Sequence, residues 1–208
     1  MPRFNLSLKS SIYPDALLAL MAELKKFPGV GNKTAERYAI DLLDWKKEEL
    51  ALFAKLLHTL KEEVKLCKRC GCLERNGSCP YCDSERINSG FLCVTASIRD
   101  VIAIESIGIF KGCYHVIGGL LSPLQGKGPD SLGINSLKSR LENEKIDELV
   151  IAFDPTIEGD ATALFLKREL SSLVPTISRL ALGLPMGSSL NYIDGGTLSQ
   201  AFSRRNSF

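Results

Sequence analysis

Leu149-Val150-Ile151-Ala152-Phe153-Asp154-Pro155-Thr156-Ile157-Glu158-Gly159-Asp160-Ala161-Thr162-Ala163 decides the fold of the chain's second half. It is a short apolar run that ends in acids and is followed by a helical stretch. The same alternation begins at Phe91, with strands expected at Phe91–Val94, Tyr114–Ile117, Leu149–Phe153 and Ile177–Leu182. Helices are expected at Arg99–Ser106, Leu132–Asn143 and Ala161–Leu170, with Ser122–Pro129 as a loop carrying two prolines and two glycines. Short apolar strands alternating with helices predict a parallel α/β sheet. In an open sheet of this kind, groups at the carboxyl ends of strands line the ligand crevice. Asp154, Glu158 and Asp160 can then converge on Mg²⁺, a hard ion that takes carboxylate oxygens, or they can serve helix capping and solubility.

Upstream of this region the chain changes character. Cys67-x2-Cys70-x8-Cys79-x2-Cys82 offers two chelating pairs to one ion, and four thiolates match the tetrahedral preference of Zn²⁺. A fully occupied tetrahedron leaves no position for water, so one structural zinc per chain is expected and metal-assisted hydrolysis is not. The rival readings are four free cysteines and redox chemistry. Seven cysteines in all cannot pair completely within one chain. Cys72 offers a C-x-C variant in place of Cys70, whereas Cys93 and Cys113 fall in strands and read as buried apolar fillers.

The first quarter reads as three helices, with apolar stripes at Leu17, Leu20, Met21 and Leu24, then at Ala35, Tyr38, Ala39 and Leu42, then at Leu50, Phe53, Ala54, Leu57, Leu60 and Val64. All three stripes are expected to face a core. Between the first two helices, Leu24-Lys25-Lys26-Phe27-Pro28-Gly29-Val30-Gly31-Asn32-Lys33-Thr34-Ala35 resembles a helix-hairpin-helix, an element that binds DNA without reading its sequence. Gly29 and Gly31 let the backbone approach closely, and the amides at the start of the second helix can hold a phosphate. Lys33 and Arg37 lie four apart on one face of that helix and can reach the same DNA backbone. The alternative is a glycine turn between packed helices with solvated lysines. The formal charge of +2 attracts DNA only weakly. Residues 1–90 hold 15 Lys and Arg against 12 Asp and Glu, and residues 91–208 hold 11 against 12.

Taken in order, these segments resemble one family along nearly the whole chain, the bacterial RecR recombination mediators. The resemblance is carried by the hairpin, the four cysteines, Cys93-Val-Thr-Ala-Ser-Ile-Arg-Asp100, Tyr114-His-Val-Ile-Gly-Gly119, Leu121-Ser-Pro-Leu124 with Gly126-x-Gly-Pro129, the acidic segment, and Gly183-Leu-Pro-Met-Gly187. It implies an α+β multidomain protein: a helix-hairpin-helix domain at 1–55, a four-cysteine zinc-finger region at 56–88, a Rossmann-like Toprim domain at 89–175, and a C-terminal strand and tail at 176–208. It further implies a ring-forming homo-oligomer that binds single- and double-stranded DNA and acts with RecO and RecF to load RecA recombinase on single-stranded DNA, without being an enzyme. His115 belongs to the signature and reads as structural.

The rival reading is a Toprim-type metal-dependent DNA phosphotransferase or nuclease. Toprim enzymes place a glutamate just after the first strand, where this chain has Ala96, and their second D-x-D aspartate corresponds to Thr156. Both departures weaken acid–base chemistry and tight Mg²⁺ binding, leaving Asp154, Glu158 and Asp160 as a weak metal site or a surface for docking a partner. A second rival is a scaffold that assembles RecO without touching DNA. No apolar run approaches the ~20 residues that span a bilayer. Met1–Ser11 lacks the plan of a signal peptide, so a cytoplasmic, nucleoid-associated protein is expected.

Overall fold

The computed structural model describes residues 12–181, 183–185, 187–203 and 205. Contacts divide the chain into two compact units, Met1–Glu63 and Val64–Phe208.

In the first unit, α1 (Asp15–Leu24) and α2 (Asn32–Asp41) pack against each other and are joined by the glycine hairpin. Leu17 of α1 and Ala35 and Ala39 of α2 are buried, as their stripes predict. The third stripe behaves otherwise. Helix α3 (Lys47–Glu63) buries no residue, and Leu50, Phe53, Leu57, Leu60 and Val64 beyond its end are all exposed. Its apolar period is real, but the surface it would cover is not supplied by α1 and α2. The expected boundary at residues 55–56 falls inside this unbroken helix, and the two units meet at Glu63–Val64.

The second unit is built on a four-stranded, all-parallel sheet of β1 (Phe91–Thr95), β2 (Cys113–Val116), β3 (Glu148–Ala152) and β4 (Thr176–Arg179), in the spatial order β2-β1-β3-β4. Crossovers run through α5 (Ile98–Ile107), α6 (Ile134–Asn143) and α7 (Ile157–Leu170). These elements match the expected strands and helices to within a few residues. Leu182, expected to end the last strand, lies outside the described residues, and β4 stops at Arg179. Because β4 pairs with β3, the strand expected in a separate C-terminal segment belongs to the Toprim-like sheet. Two further helices, α4 (Ser84–Asn88) and α8 (Gly195–Ser203), carry too few apolar residues for periodicity to announce them. The core holds Leu92, Val94, Leu137, Leu149, Ile151, Leu166 and Leu170, strand and helix faces whose near-complete burial drives folding at roughly 25 cal/mol per Å² removed from water.

No helix among the described residues is long and apolar enough to cross a membrane.

Candidate functional site

The cysteine segment is docked on the sheet. The Val116 amide donates to the Cys70 carbonyl at 2.8 Å, extending β2 by one contact. Gly71, at φ +74°, approaches so closely that a Cβ there would lie 3.0 Å from the Val116 carbonyl oxygen. Cys70 and Cys72 are buried in a cluster with Cys93, Val101 and Tyr114, and Cys93 and Cys113 are the buried fillers their strand positions predict.

Within this knuckle the Sγ atoms of Cys67, Cys70, Cys79 and Cys82 all lie within 4.8 Å of one another, and Cys70 Sγ stands 3.4 Å from Cys79 Sγ. A tetrahedral zinc with ~2.3 Å bonds separates its sulfurs by about 3.8 Å, so the spacing fits that ion. A disulfide, at about 2.05 Å, is ruled out for the 3.4 Å pair. Cys72, the alternative ligand, is fully buried and turned toward the Cys70 carbonyl. The donor set also prepares for charge. Burial works against the Cys67 thiolate, but the backbone amides of Cys70 and Arg69 point at its sulfur and hold its pKa below the ordinary value. Burial pushes Cys79 up to about 11, opposed by the Tyr81 amide, the equivalent donor in the second pair. Cys70 is pushed up first by its hydrogen bond with Cys72, and Cys82 first by its hydrogen bond with Cys70. Four thiols this close cannot all ionise against one another, and a divalent cation at their centre removes the conflict.

A short polar chain flanks the knuckle. Arg69, inside the first Cys pair, donates through Nε to Glu144 Oε1 at 2.9 Å, and Arg140 Nε donates to the same carboxylate at 3.0 and 3.1 Å. Arg140 falls on the inner face of α6 with Ile134, Leu137 and Leu141, and its side chain is only 2% exposed. Beside it, burial and then the Arg140 charge pull His115 down to about 4, so that this imidazole is neutral at pH 7. His115 Nε2 lies 3.3 Å from both the Gly133 carbonyl and Ser136 Oγ, the contacts of a structural histidine.

At the carboxyl edge of the sheet, β1 and β3 run side by side with Thr95 opposite Ala152. Since β2 lies on one side of this pair and β4 on the other, the strand order reverses here, which is where open α/β sheets bind ligands. The residues that follow the two strands are Ala96-Ser97 and Phe153-Asp154. Ala96 therefore leaves the β1 side of the crevice without a carboxylate. Asp100 is already engaged, accepting from the Ser97 amide at 2.8 Å to cap α5. Thr156 caps α7 by accepting from the Gly159 amide at 3.0 Å. Asp154 and Glu158 are exposed, while Asp160 is ion-paired with Arg179 at 2.5 Å. Among the described residues the four cysteines form the one cluster with metal-ligand spacing; the three acids do not gather in this way.

In the first unit, Gly29 has φ +78° in the hairpin and Gly31 precedes α2 without any side-chain cap. Lys33 and Arg37 are both exposed and line one shallow cleft with Glu36, Ile40 and Asp41. Arg37 also lies over the Tyr38 ring, 5.4 Å from its centroid.

A helix-hairpin-helix unit, a cysteine knuckle with zinc geometry, and a parallel Toprim-type sheet define a modular protein of nucleic-acid metabolism. Family models match the first and the last of these parts. Residues 17–61 match the family model for the RecR helix-hairpin-helix, residues 90–181 that for the Toprim domain, and residues 183–206 that for the RecR C-terminal region. A Recombination protein RecR of Protochlamydia amoebophila is 52% identical over 94% of this chain and 99% of its own length. Those of Chlamydia pneumoniae and Chlamydia trachomatis serovar D are 46% and 44% identical over 94% of this chain and 98% of theirs. The chain belongs to the RecR family of recombination proteins.

Proposed function

We propose that this protein binds single- and double-stranded DNA through Gly29, Gly31, Lys33 and Arg37, and acts with RecO and RecF to load RecA on single-stranded DNA. The observation that carries the DNA reading is the start of α2: a helix N-terminus without a side-chain cap, followed by two exposed cations that line one cleft. Such contacts hold phosphate and carry no sequence information. A Lys33→Ala, Arg37→Ala double variant is expected to bind more weakly, with the slope of log affinity against log salt shallower by about 1.8 on duplex and about 1.4 on single strands, two phosphate contacts fewer. An unchanged slope in a folded variant assigns the pair to packing and favours a RecO-assembling scaffold that never touches DNA.

The exposed α3 stripe supports self-assembly, because seventeen helical residues with Leu50, Leu52, Phe53, Leu56, Leu57 and Leu60 uncovered are costly in water. A second face, at the C-terminal region, makes a ring; one face alone makes a dimer. Light scattering on the eluting species tests this reading, and a monomer at micromolar concentration overturns it.

The Toprim site then serves docking and not chemistry. Asp154 and Glu158 present exposed negative charge at the crevice, suited to a basic patch on RecO, and any Mg²⁺ they hold is weakly bound. Supercoiled plasmid incubated with the protein and Mg²⁺ or Mn²⁺ is expected to stay supercoiled. Nicking or relaxation that an Asp154→Ala variant loses would establish the phosphotransferase or nuclease reading instead. We assign the zinc a structural role, one ion per chain on Cys67, Cys70, Cys79 and Cys82, and place the protein in the cytoplasm with the nucleoid.

A further inference from the structure

Arg140 is the least expected residue of the fold. It sits in helix α6 at a position the amphipathic pattern reserves for an apolar side chain, and burying a guanidinium costs several kcal/mol unless its charge is met. Its partners meet it only in part. Nη1 donates to the Tyr114 carbonyl at 2.6 Å and Nε to Glu144, but Nη2 is buried with no hydrogen-bond partner among the described residues. The Glu144 carboxylate is also shared with Arg69, whose side chain is 42% exposed, so two guanidinium groups, one of them buried, stand against one carboxylate and leave an excess of one positive charge. This excess lies against the knuckle: Arg69 is within the Cys67–Cys70 pair, and Tyr114 belongs to the cluster that buries Cys70 and Cys72.

A zinc ion held by four thiolates carries two net negative charges, and burying it is unfavourable unless cations or hydrogen-bond donors surround it. We propose that Arg140, aided by Arg69, offsets the charge of the zinc–thiolate centre, so that a buried arginine of the Toprim domain sets how tightly the knuckle keeps its metal. The inference rests on the zinc reading given above and assigns the unpartnered Nη2 its purpose. It also accounts for Glu144: one carboxylate neutralises one of the two arginines and leaves the other for the thiolates. Arg140 is a positioning residue: it is not a ligand, and acts on the centre through its charge.

Zinc release from the full-length protein into a chromogenic chelator is the test. Outer groups around a metal are typically worth 10–100-fold in affinity, so Arg140→Met is expected to release zinc about 10–100-fold faster than the parent chain. Arg140→Lys keeps the charge without the fork; it is expected to fall between the two, and is the variant to read should methionine prevent folding. Glu144→Gln separates charge from packing. It breaks the same network yet leaves more positive charge beside the thiolates, so its zinc is expected to leave no faster than from the parent chain. A purely structural network predicts fast release from both Arg140→Met and Glu144→Gln, and that outcome overturns the proposal, as does parental release from Arg140→Met. Lys138→Met removes a cation from the same helix that is paired with Glu169 and should change nothing. If the parent chain neither contains nor takes up zinc, the metal reading itself fails, a result distinct from either of these.

Discussion

Cys79→Ala is expected to empty the metal site and unfasten the knuckle from the sheet. Apparent binding energies of structural zinc run to about 10–16 kcal/mol, and most of that is lost with one ligand of four, because three thiolates leave a position open to water and to exchange. No neighbour replaces the missing sulfur: Cys72 is fully buried, points at the Cys70 carbonyl and lies outside the four-sulfur group. The consequence reaches beyond residues 67–82. Once the knuckle loosens, the contact between Val116 and Cys70 and the cover over Tyr114 are lost, exposing an apolar patch beside β2. Loss of solubility and rapid proteolysis within 64–83 should accompany loss of zinc, with most of the sheet still folded. Elemental analysis of the purified variant decides the matter, and an undiminished ratio of one zinc per chain would mean that the ligands are assigned wrongly.

The reach of the sequence differs from one part of this molecule to another for physical reasons. Parallel strands buried on both faces are largely apolar, so Leu149–Phe153 and Phe91–Val94 announce themselves, whereas the edge strand β4, Thr-Ile-Ser-Arg and only partly buried, is marked by less. Four cysteines in two chelating pairs match a tetrahedral metal, so the knuckle announces itself too. The α3 stripe shows the limit of periodicity, which reveals that a helix has an apolar face but not what covers it. Arg140 shows another: a charged residue at an inner position reads as solvated until the structure reveals its carboxylate and its neighbours. Docking of the knuckle depends on the close approach of Gly71 to Val116, a contact between segments far apart in sequence that no local pattern encodes. At the carboxyl edge, Ala96 and Thr156 were legible as departures only through the family resemblance, since an alanine after a strand has no chemistry to betray it.

Gly159→Ala is expected to be among the most damaging single-methyl additions in the Toprim domain. A Cβ at this position would stand 2.1 Å from the Asp154 carbonyl oxygen and 3.2 Å from Thr156 Oγ1. Both obstacles are hard to move: the first is backbone at the exit of β3, and the second is the hydroxyl that caps α7 through the Gly159 amide. The backbone angle at Gly159 is not left-handed, so the penalty is purely one of space. Relief requires the first turn of α7, with Glu158, to lift from the strand end, which breaks the cap and moves the loop bearing Asp154. Overpacking a core typically costs about 1–3 kcal/mol, and a clash with backbone belongs at or above the top of that range. For a unit of this size, a loss of about 3 kcal/mol lowers Tm by roughly 6–12 °C. Gly183→Ala is the control, because nothing lies within 4 Å of its added methyl. A Gly159→Ala melting curve indistinguishable from that control would mean that α7 slides at little cost and that the acidic loop is not held in place by this contact. A clear loss would show that the crevice at the reversal of strand order is a rigid platform, as a surface that docks a partner by charge must be if the charges are to meet in register.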